Sequence, residues 1–200
     1  MVDGDYNGVA VRSPGGDRKG DWIQTYTGRC FWPLDPRPED IFILDIAHSL
    51  SMQCRYNGHT KRFYSVAEHC VIISKLVPPE HALWGLLHDV AESYTSDIPR
   101  PLKRNLQAWA PMEEKIMNAV CLRFGLQLWE PPDVTDKDIA ICTDERDMLM
   151  NPCDREWGLM KPSPGARGLI HCYEPSNAER LFKRRCLELM PAEMYSTCLG

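Results

Sequence analysis

The sequence predicts an all-α domain of five to seven helices, preceded by a short extended or hairpin segment. Apolar residues recur at helical spacing in several separate stretches. Capping residues and prolines mark where those stretches begin and end. Alternation typical of strands is confined to residues 22–34. The 200 residues are 44% hydrophobic and 26% charged, which is typical of a single globular domain with a buried core.

The N-terminal half contains the hairpin and the first two predicted helices. Thr27-Gly28 is the expected turn of the hairpin, and a first helix follows from residue 40 to Tyr56. Ser65 and Glu68 form a capping-box pattern, with Ser65 as N-cap. This pattern predicts a second helix that ends near residue 77, before two prolines.

The next predicted helices carry most of the apolar residues. Residues 80–94 are apolar on nearly every side, which indicates a central, buried helix. A further helix is expected over residues 111–124, with Gly125 as its C-cap. Another is expected over residues 134–150, and residues 151–175 are expected to form a long irregular loop.

A second capping-box pattern, Ser176 to Glu179, predicts a last helix that ends at Met190. These boundaries give a flexible tail over residues 1–20, one domain over 21–190 and a C-terminal tail over 191–200. The tails are expected because glycine, proline and polar residues interrupt the periodic pattern there.

Charge and composition exclude several classes of function. The net charge of −5 and pI of about 5.7 argue against binding of duplex nucleic acid. The sequence has no apolar run long enough for a membrane span and no apolar segment of a signal peptide near its start. Nine scattered cysteines without a C-x-x-C pair indicate reduced thiols, and hence a cytoplasmic protein.

Ionisable residues stand out inside the most apolar helix. His88 and Asp89 would be costly to bury unless they were paired or bound a metal. Glu92 and Asp97 follow closely, so three carboxylates come within nine residues of one histidine. They would repel one another unless a cation lay among them.

A second histidine and a fourth carboxylate complete a candidate ligand set. His69 lies on the apolar face of the capped helix, where a lone histidine is more often a core residue. Asp138 shares a helix face with apolar residues and Glu145, while Asp136 and Asp144 are the alternatives. Two imidazoles and two carboxylates suit Zn²⁺, Mn²⁺, Co²⁺ or Fe²⁺.

Three segments resemble the HD-domain metal-dependent phosphohydrolases. They are YSVAEH at residues 64–69, LLHDVAESYTSDIPRPLK at 86–103 and VTDKD at 134–138. The similarity covers residues 22–150 and is closest to bacterial 5′-deoxynucleotidases and small phage enzymes, which include dATP triphosphohydrolases. The resemblance implies an HD-domain helical bundle. Because proteins of this family hold a divalent metal, it also implies Zn²⁺, Mn²⁺ or Co²⁺ here, with a second ion, Mg²⁺, beside the phosphates as a further option.

The resemblance also assigns roles to individual residues. The implied metal ligands are His69, His88, Asp89 and Asp138. Glu92 and Asp97 match the acids that orient or activate the attacking water. Arg55 matches an arginine that contacts the substrate's phosphate. Apart from the resemblance, the charge of a phosphate makes Arg100 and Lys103 further candidates. His59, on a glycine turn, would contact phosphate or form a loop hydrogen bond, and Tyr56 could stack on or wall off the base.

Residues 24–40 resemble the phage enzymes, and this resemblance implies hydrolysis of dATP to deoxyadenosine and triphosphate by attack of water at the α-phosphorus. The alternatives are a 5′-deoxynucleotidase acting on monophosphates and a non-catalytic HD nucleotide sensor. The expected partners are a deoxynucleotide substrate and further copies of the chain, with no membrane. The expected location is the cytoplasm, or the bacterial host cytoplasm if a phage encodes the chain.

Overall fold

The computed structural model describes residues 17–155, 157–158 and 162–199, and it confirms the all-α fold class. An antiparallel pair of strands, β1 (Ile23–Gln24) and β2 (Cys30–Phe31), forms the expected N-terminal hairpin. The helices that follow in the described residues are α1 (Ile43–Met52), α2 (Val66–Leu76), α3 (Ala82–Leu87), α4 (Glu92–Thr95), α5 (Arg100–Lys103), α6 (Trp109–Phe124), α7 (Pro132–Leu149), α8 (Pro175–Leu189) and α9 (Ala192–Leu199).

The continuous helix expected over residues 80–94 is wrong, because the structure divides it into α3, a turn over residues 88–91, and α4. In this turn the His88 ring takes the Gly85 carbonyl oxygen as hydrogen-bond partner, with Nδ1 at 2.9 Å. Further along, the amides of Val90 and Glu92 bond to carbonyls only three residues back. The ring competes with the backbone for a helix carbonyl, and the residues that follow adopt the tighter hydrogen-bond pattern of a 3₁₀ helix.

Helix α2 lies at the centre of the fold. Its N-cap is Ser65, whose Oγ accepts the Glu68 backbone N–H at 3.1 Å, as the sequence predicts. Residues 66–74 are all buried, because α2 packs on α1, α3, α7 and α8. One apolar cluster lies on each side of the helix, so α2 shares the central place expected for residues 80–94.

Gly85 allows α3 to approach α2 closely. A Cβ atom at this position would lie 3.2 Å from Val77 Cγ2, 3.3 Å from Ile73 Cγ2 and 3.4 Å from Ser74 Cα. Gly85 meets Ile73, one turn after His69, while His88, one turn after Gly85, meets His69 itself. The two helices therefore run antiparallel, with their histidines at the same level.

The C-terminal region differs from expectation in two respects. The second capping box is wrong: α8 begins at Pro175, Ser176 lies inside the helix, and the Glu179 carboxylate pairs with His48 and Lys183. Most of residues 191–200, expected as a tail, form helix α9, which packs on α1 and α8.

The expected N-terminal tail lies mostly outside the described residues. Within residues 17–20, Arg18 is held by an ion pair with Asp40 and by its position over the Trp32 ring. All nine cysteines lie in the described part of the chain and are free. No helix among the described residues is long and apolar enough to cross a membrane.

Candidate metal and catalytic site

Four side chains that are distant in sequence meet between α2, the α3–α4 turn and α7. Nε2 of His69 lies 3.2 Å from Nε2 of His88 and 3.1 Å from Oδ1 of Asp138. Nε2 of His88 lies 3.2 Å from Oδ2 of Asp89. These are the four ligands that the resemblance implies, and they could hold a metal ion.

Both imidazoles are oriented with Nε2 toward this cluster. Nδ1 of His69 bonds to Oε1 of Glu145 at 2.7 Å, and Nδ1 of His88 bonds to the Gly85 carbonyl oxygen. A carboxylate and a carbonyl only accept hydrogen bonds, so Nδ1 of each ring carries a proton and Nε2 is the atom left to face the cluster.

The donor set fits a divalent ion. Ligand atoms that each lie about 2.0–2.2 Å from one ion are roughly 3.0–3.5 Å apart at neighbouring positions. The shortest separations here, 3.1 and 3.2 Å, fall within that range, and the two remaining histidine–carboxylate separations are longer, at 3.7 and 3.9 Å. Cys70 adds a thiol whose Sγ lies within 4.8 Å of ligand atoms of His88 and Asp89.

The carboxylates of the cluster are held in their charged form. Burial alone would raise the pKa of Asp89, but His88 and Arg55 hold it well below its usual range. Burial likewise opposes the charge of Asp138, and His69 lowers its pKa. Burial opposes the charge of His69 and His88, but the neighbouring acids raise the pKa of both rings. Without an ion, the histidines therefore carry the positive charge that balances these oxygens, and a bound cation would displace their Nε2 protons.

Glu92, the first residue of α4, is 5% exposed and has one free oxygen. Its Oε1 accepts from Lys103 Nζ at 3.0 Å, while Oε2 is buried with no hydrogen-bond partner among the described residues. Burial, with the nearby charges of Asp89 and Asp97, raises the pKa of Glu92 to about 8. This carboxyl therefore gains and loses its proton close to neutral pH.

Asp97 follows α4 and lines a polar cavity of about 320 Å³. Its backbone N–H donates to Gln53 Oε1 at 3.0 Å, and Gln53 Nε2 in turn donates to the Glu92 carbonyl oxygen. The other lining residues are Cys54, Asn57, Gly58 and Ser96. A cavity of this size is at the lower end of small-molecule sites.

The turn that carries Arg55 and Tyr56 is strained. Tyr56 and Asn57 both adopt left-handed backbone conformations, with φ of 56° and 53°. Arg55 is buried between two acids, with Nη1 3.3 Å from Asp89 Oδ2 and Nη2 3.4 Å from Glu145 Oε2. Strain of this kind persists where surrounding contacts impose it and is frequent at functional sites.

The predicted phosphate-binding cations are already paired with acids of the chain. Arg100 Nη2 lies 2.9 Å from Asp138 Oδ2, and Lys103 bridges Glu92 and Glu113. His59 is exposed, and within the described residues its ring forms no hydrogen bond or ion pair. The structure therefore brings Arg55, Arg100 and Lys103 to the acidic cluster, but not the His59 ring.

The two alternatives to Asp138 lie elsewhere. Asp136 is exposed, and the buried Asp144 accepts from the Ser163 N–H at 2.8 Å and from Arg167 Nε at 2.7 Å. Sequence reasoning missed the role of Glu145, which is fully buried against His69. The available signal was its spacing: seven residues after Asp138 is two helical turns, hence the same face of α7.

Comparisons with known proteins give relatives without an assigned activity. No protein-family model matches the chain. The chain is 36% identical over 115 residues to an uncharacterized protein of Rhodobacter capsulatus, covering 52% of this chain and 59% of that one. It is 44% identical over 170 residues to the uncharacterized protein YfdR of Escherichia coli K12, covering 84% of this chain and 95% of the relative. With that identity over nearly the whole relative, the chain belongs to the family of YfdR.

Proposed function

We propose that the chain is a metal-dependent phosphohydrolase of the HD type that acts on a deoxynucleotide. The observation that carries the proposal is the convergence of two imidazole Nε2 atoms and two anionic carboxylates at separations of 3.1–3.9 Å. The free Oε2 of Glu92 supports it further, because it adds a buried proton acceptor to the acidic cluster.

A divalent ion bound there would lower the pKa of a water molecule and offset the negative charge of a phosphate. The chain's own residues supply the remaining functions. Glu92 accepts the proton of the attacking water, and Asp97 orients that water from the side of the polar cavity. Arg55, which is preorganised between Asp89 and Glu145, contacts a phosphate oxygen.

For the substrate we propose dATP, cleaved at the α-phosphorus to deoxyadenosine and triphosphate. This choice rests on the resemblance of the N-terminal segment, residues 24–40, to the phage enzymes. Tyr56 would wall off the base or sugar, since its ring lies beside Arg55, with 5.5 Å from the guanidinium carbon to the ring centroid.

One observation favours a deoxynucleoside monophosphate as the second candidate. Arg55, Arg100 and Lys103, the cations predicted to bind phosphate, each form an ion pair with an acid of the chain. A triphosphate carries more negative charge than a monophosphate, and these pairs leave little uncompensated positive charge to meet it.

The test is turnover by the purified, metal-free chain after addition of Mn²⁺, Co²⁺ or Zn²⁺. We expect EDTA to abolish hydrolysis and one of these ions to restore it, with products separated by ion-exchange chromatography. The substrates are dATP, dGTP, 2-amino-dATP, ATP and dAMP. Rapid dAMP cleavage with slow dATP cleavage would select the monophosphate reaction, and no turnover with any metal would reject the enzyme.

Three variants localise the activity. His88→Ala should bind no metal and have no activity. Glu92→Gln should retain metal but lose about 10²–10⁴ in kcat, as expected when a general base is removed. His81→Ala is the matched control, because this histidine pairs with Asp133 outside the cluster and its loss should leave kcat unchanged. Wild-type activity in His88→Ala would show that the metal needed for hydrolysis does not bind at this cluster.

A further inference from the structure

Glu145 contacts several groups besides Arg55, the one contact that the proposed hydrolysis invokes. Its side chain is fully buried on α7, and its two oxygens have different partners. Oε1 accepts from Tyr64 Oη at 2.8 Å and from His69 Nδ1 at 2.7 Å. Oε2 accepts from the Tyr56 hydroxyl and pairs with Arg55 Nη2.

The two histidines of the cluster differ in what holds them. Nδ1 of His88 bonds to the neutral Gly85 carbonyl, three residues away in the same turn. Nδ1 of His69 bonds to a carboxylate from another helix. A carboxylate partner fixes the ring orientation, holds the proton on Nδ1 and makes Nε2 a stronger donor to a metal.

The other oxygen of Glu145 holds the strained turn. Tyr56 has a left-handed backbone that its side chain does not favour, and its hydroxyl reaches Glu145 Oε2. Arg55, one residue earlier, pairs with the same oxygen. One carboxylate thus contacts both a candidate metal ligand and the arginine proposed to bind phosphate.

We propose that Glu145 is a positioning residue that orients His69 for the metal and holds Arg55 and Tyr56 in place for the substrate. This inference rests on the proposed function, because it requires that a metal binds at the cluster and that a phosphate binds at Arg55. The metal part can be tested without turnover.

The test compares two neighbouring buried acids of α7. Glu145→Gln keeps the size of the side chain but removes its charge. Asp144→Asn does the same at a residue whose carboxylate, within the described part of the chain, bonds to Ser163 and Arg167 and not to the cluster. The full-length apo-protein is titrated with Co²⁺ by calorimetry, and the visible absorption of bound Co²⁺ is recorded. We expect Glu145→Gln to weaken Co²⁺ binding about 10–100-fold. Asp144→Asn should leave Co²⁺ affinity unchanged even if it lowers the melting temperature.

Two further measurements separate positioning from a general structural role. Nitrogen NMR at alkaline pH, where the His69 ring is neutral, should show its proton on Nδ1 in the wild-type apo-protein and a mixture of tautomers in Glu145→Gln. At saturating Co²⁺, kcat of the variant should recover, while KM for the nucleotide stays raised because Arg55 has lost one of its two acid partners.

Unchanged Co²⁺ affinity in Glu145→Gln would overturn the inference. An equal loss of affinity in Asp144→Asn would also overturn it, because the effect would then be one of general destabilisation. A wild-type chain that binds Co²⁺ but hydrolyses no nucleotide would reject the proposed function and leave the metal-positioning role of Glu145 intact. A wild-type chain that binds no Co²⁺ would reject both.

Discussion

Helix α2 and the α3–α4 turn each bring one histidine to the site, but the two histidines are held by different kinds of contact. His69 is held by Glu145, which lies 76 residues further along the chain. The neighbouring Glu68 accepts the backbone N–H groups of His171, Cys172 and Tyr173, at 2.7–2.9 Å. His88, in contrast, bonds to a carbonyl three residues away.

This difference separates what the completed fold supplies from what local sequence supplies. The geometry around His88 arises within a few residues and is compatible with a short, tight turn. The geometry around His69 exists only when α7 and residues 171–173 have packed against α2. Substitutions in the two regions should therefore change the free energy of unfolding by different amounts. One of them, at Ser96, should raise it.

The largest effect is expected at Glu68. Glu68→Gln replaces one carboxylate oxygen with an NH₂ group, so at least one of the three backbone donors faces another donor. We expect the free energy of unfolding to fall by about 3 kcal/mol, since hydrogen bonds to charged groups contribute about 1.5–3 kcal/mol each. Urea denaturation measures this. The exposed Glu114 is the control, and Glu114→Gln should change stability by less than about 0.5 kcal/mol. Equal losses would contradict the dependence of α2 on long-range contacts.

The second effect concerns the interface between the two regions. Gly85→Ala would place a methyl group against Ile73, Ser74 and Val77 and push α3 away from α2. We expect a loss of about 1–3 kcal/mol from overpacking, with weaker Co²⁺ binding because the two histidines separate. Gly168→Ala is the control, since a Cβ there meets nothing within 4 Å. Calorimetric melting and Co²⁺ titration check both; wild-type affinity in Gly85→Ala would show that the helix spacing does not set the site.

The smallest effect is expected at Ser96, where α4 ends. Its φ of 85° and ψ of 150° lie in a region that glycine occupies far more easily. We expect Ser96→Gly to raise stability by about 1 kcal/mol, because relief of about 1–3 kcal/mol of strain exceeds the entropy cost of glycine. Ser93→Gly, inside α4, should lower stability by about 0.5–1 kcal/mol. Thermal denaturation of both variants would contradict this reasoning if the two changes had the same sign.

The same contrast explains which elements could be predicted from sequence. The Ser65 cap is local and was predicted correctly, because its hydroxyl bonds within the first turn of α2. The similar pattern at Ser176 failed, because Pro175 is favoured at the first helical position and moves the start of α8 one residue earlier. The break at His88 was missed because hydrophobic periodicity carries no information about a ring that bonds to a helix carbonyl.

The candidate site follows the same rule. His88 and Asp89 stand out in sequence, since ionisable residues interrupt an apolar run. Asp138 and Asp144 are six residues apart on α7, so their side chains lie about 240° apart around the helix axis. Only the packing of α7 determines which of these two faces meets His69 and His88. The partners of Glu145 come from three separate parts of the chain, and spacing alone indicates no more than the shared face with Asp138.

The three amides that meet Glu68 have a consequence for synthesis of the chain. A ribosome completes all four candidate ligands when it reaches Asp138, but His171, Cys172 and Tyr173 are added later. Until they arrive, burial of Glu68 would leave its charge without hydrogen-bond partners, at a cost of several kcal/mol. Helix α2 is therefore expected to close into the core only after that last segment has left the ribosome, so a nascent chain would hold every ligand residue before it could assemble the site.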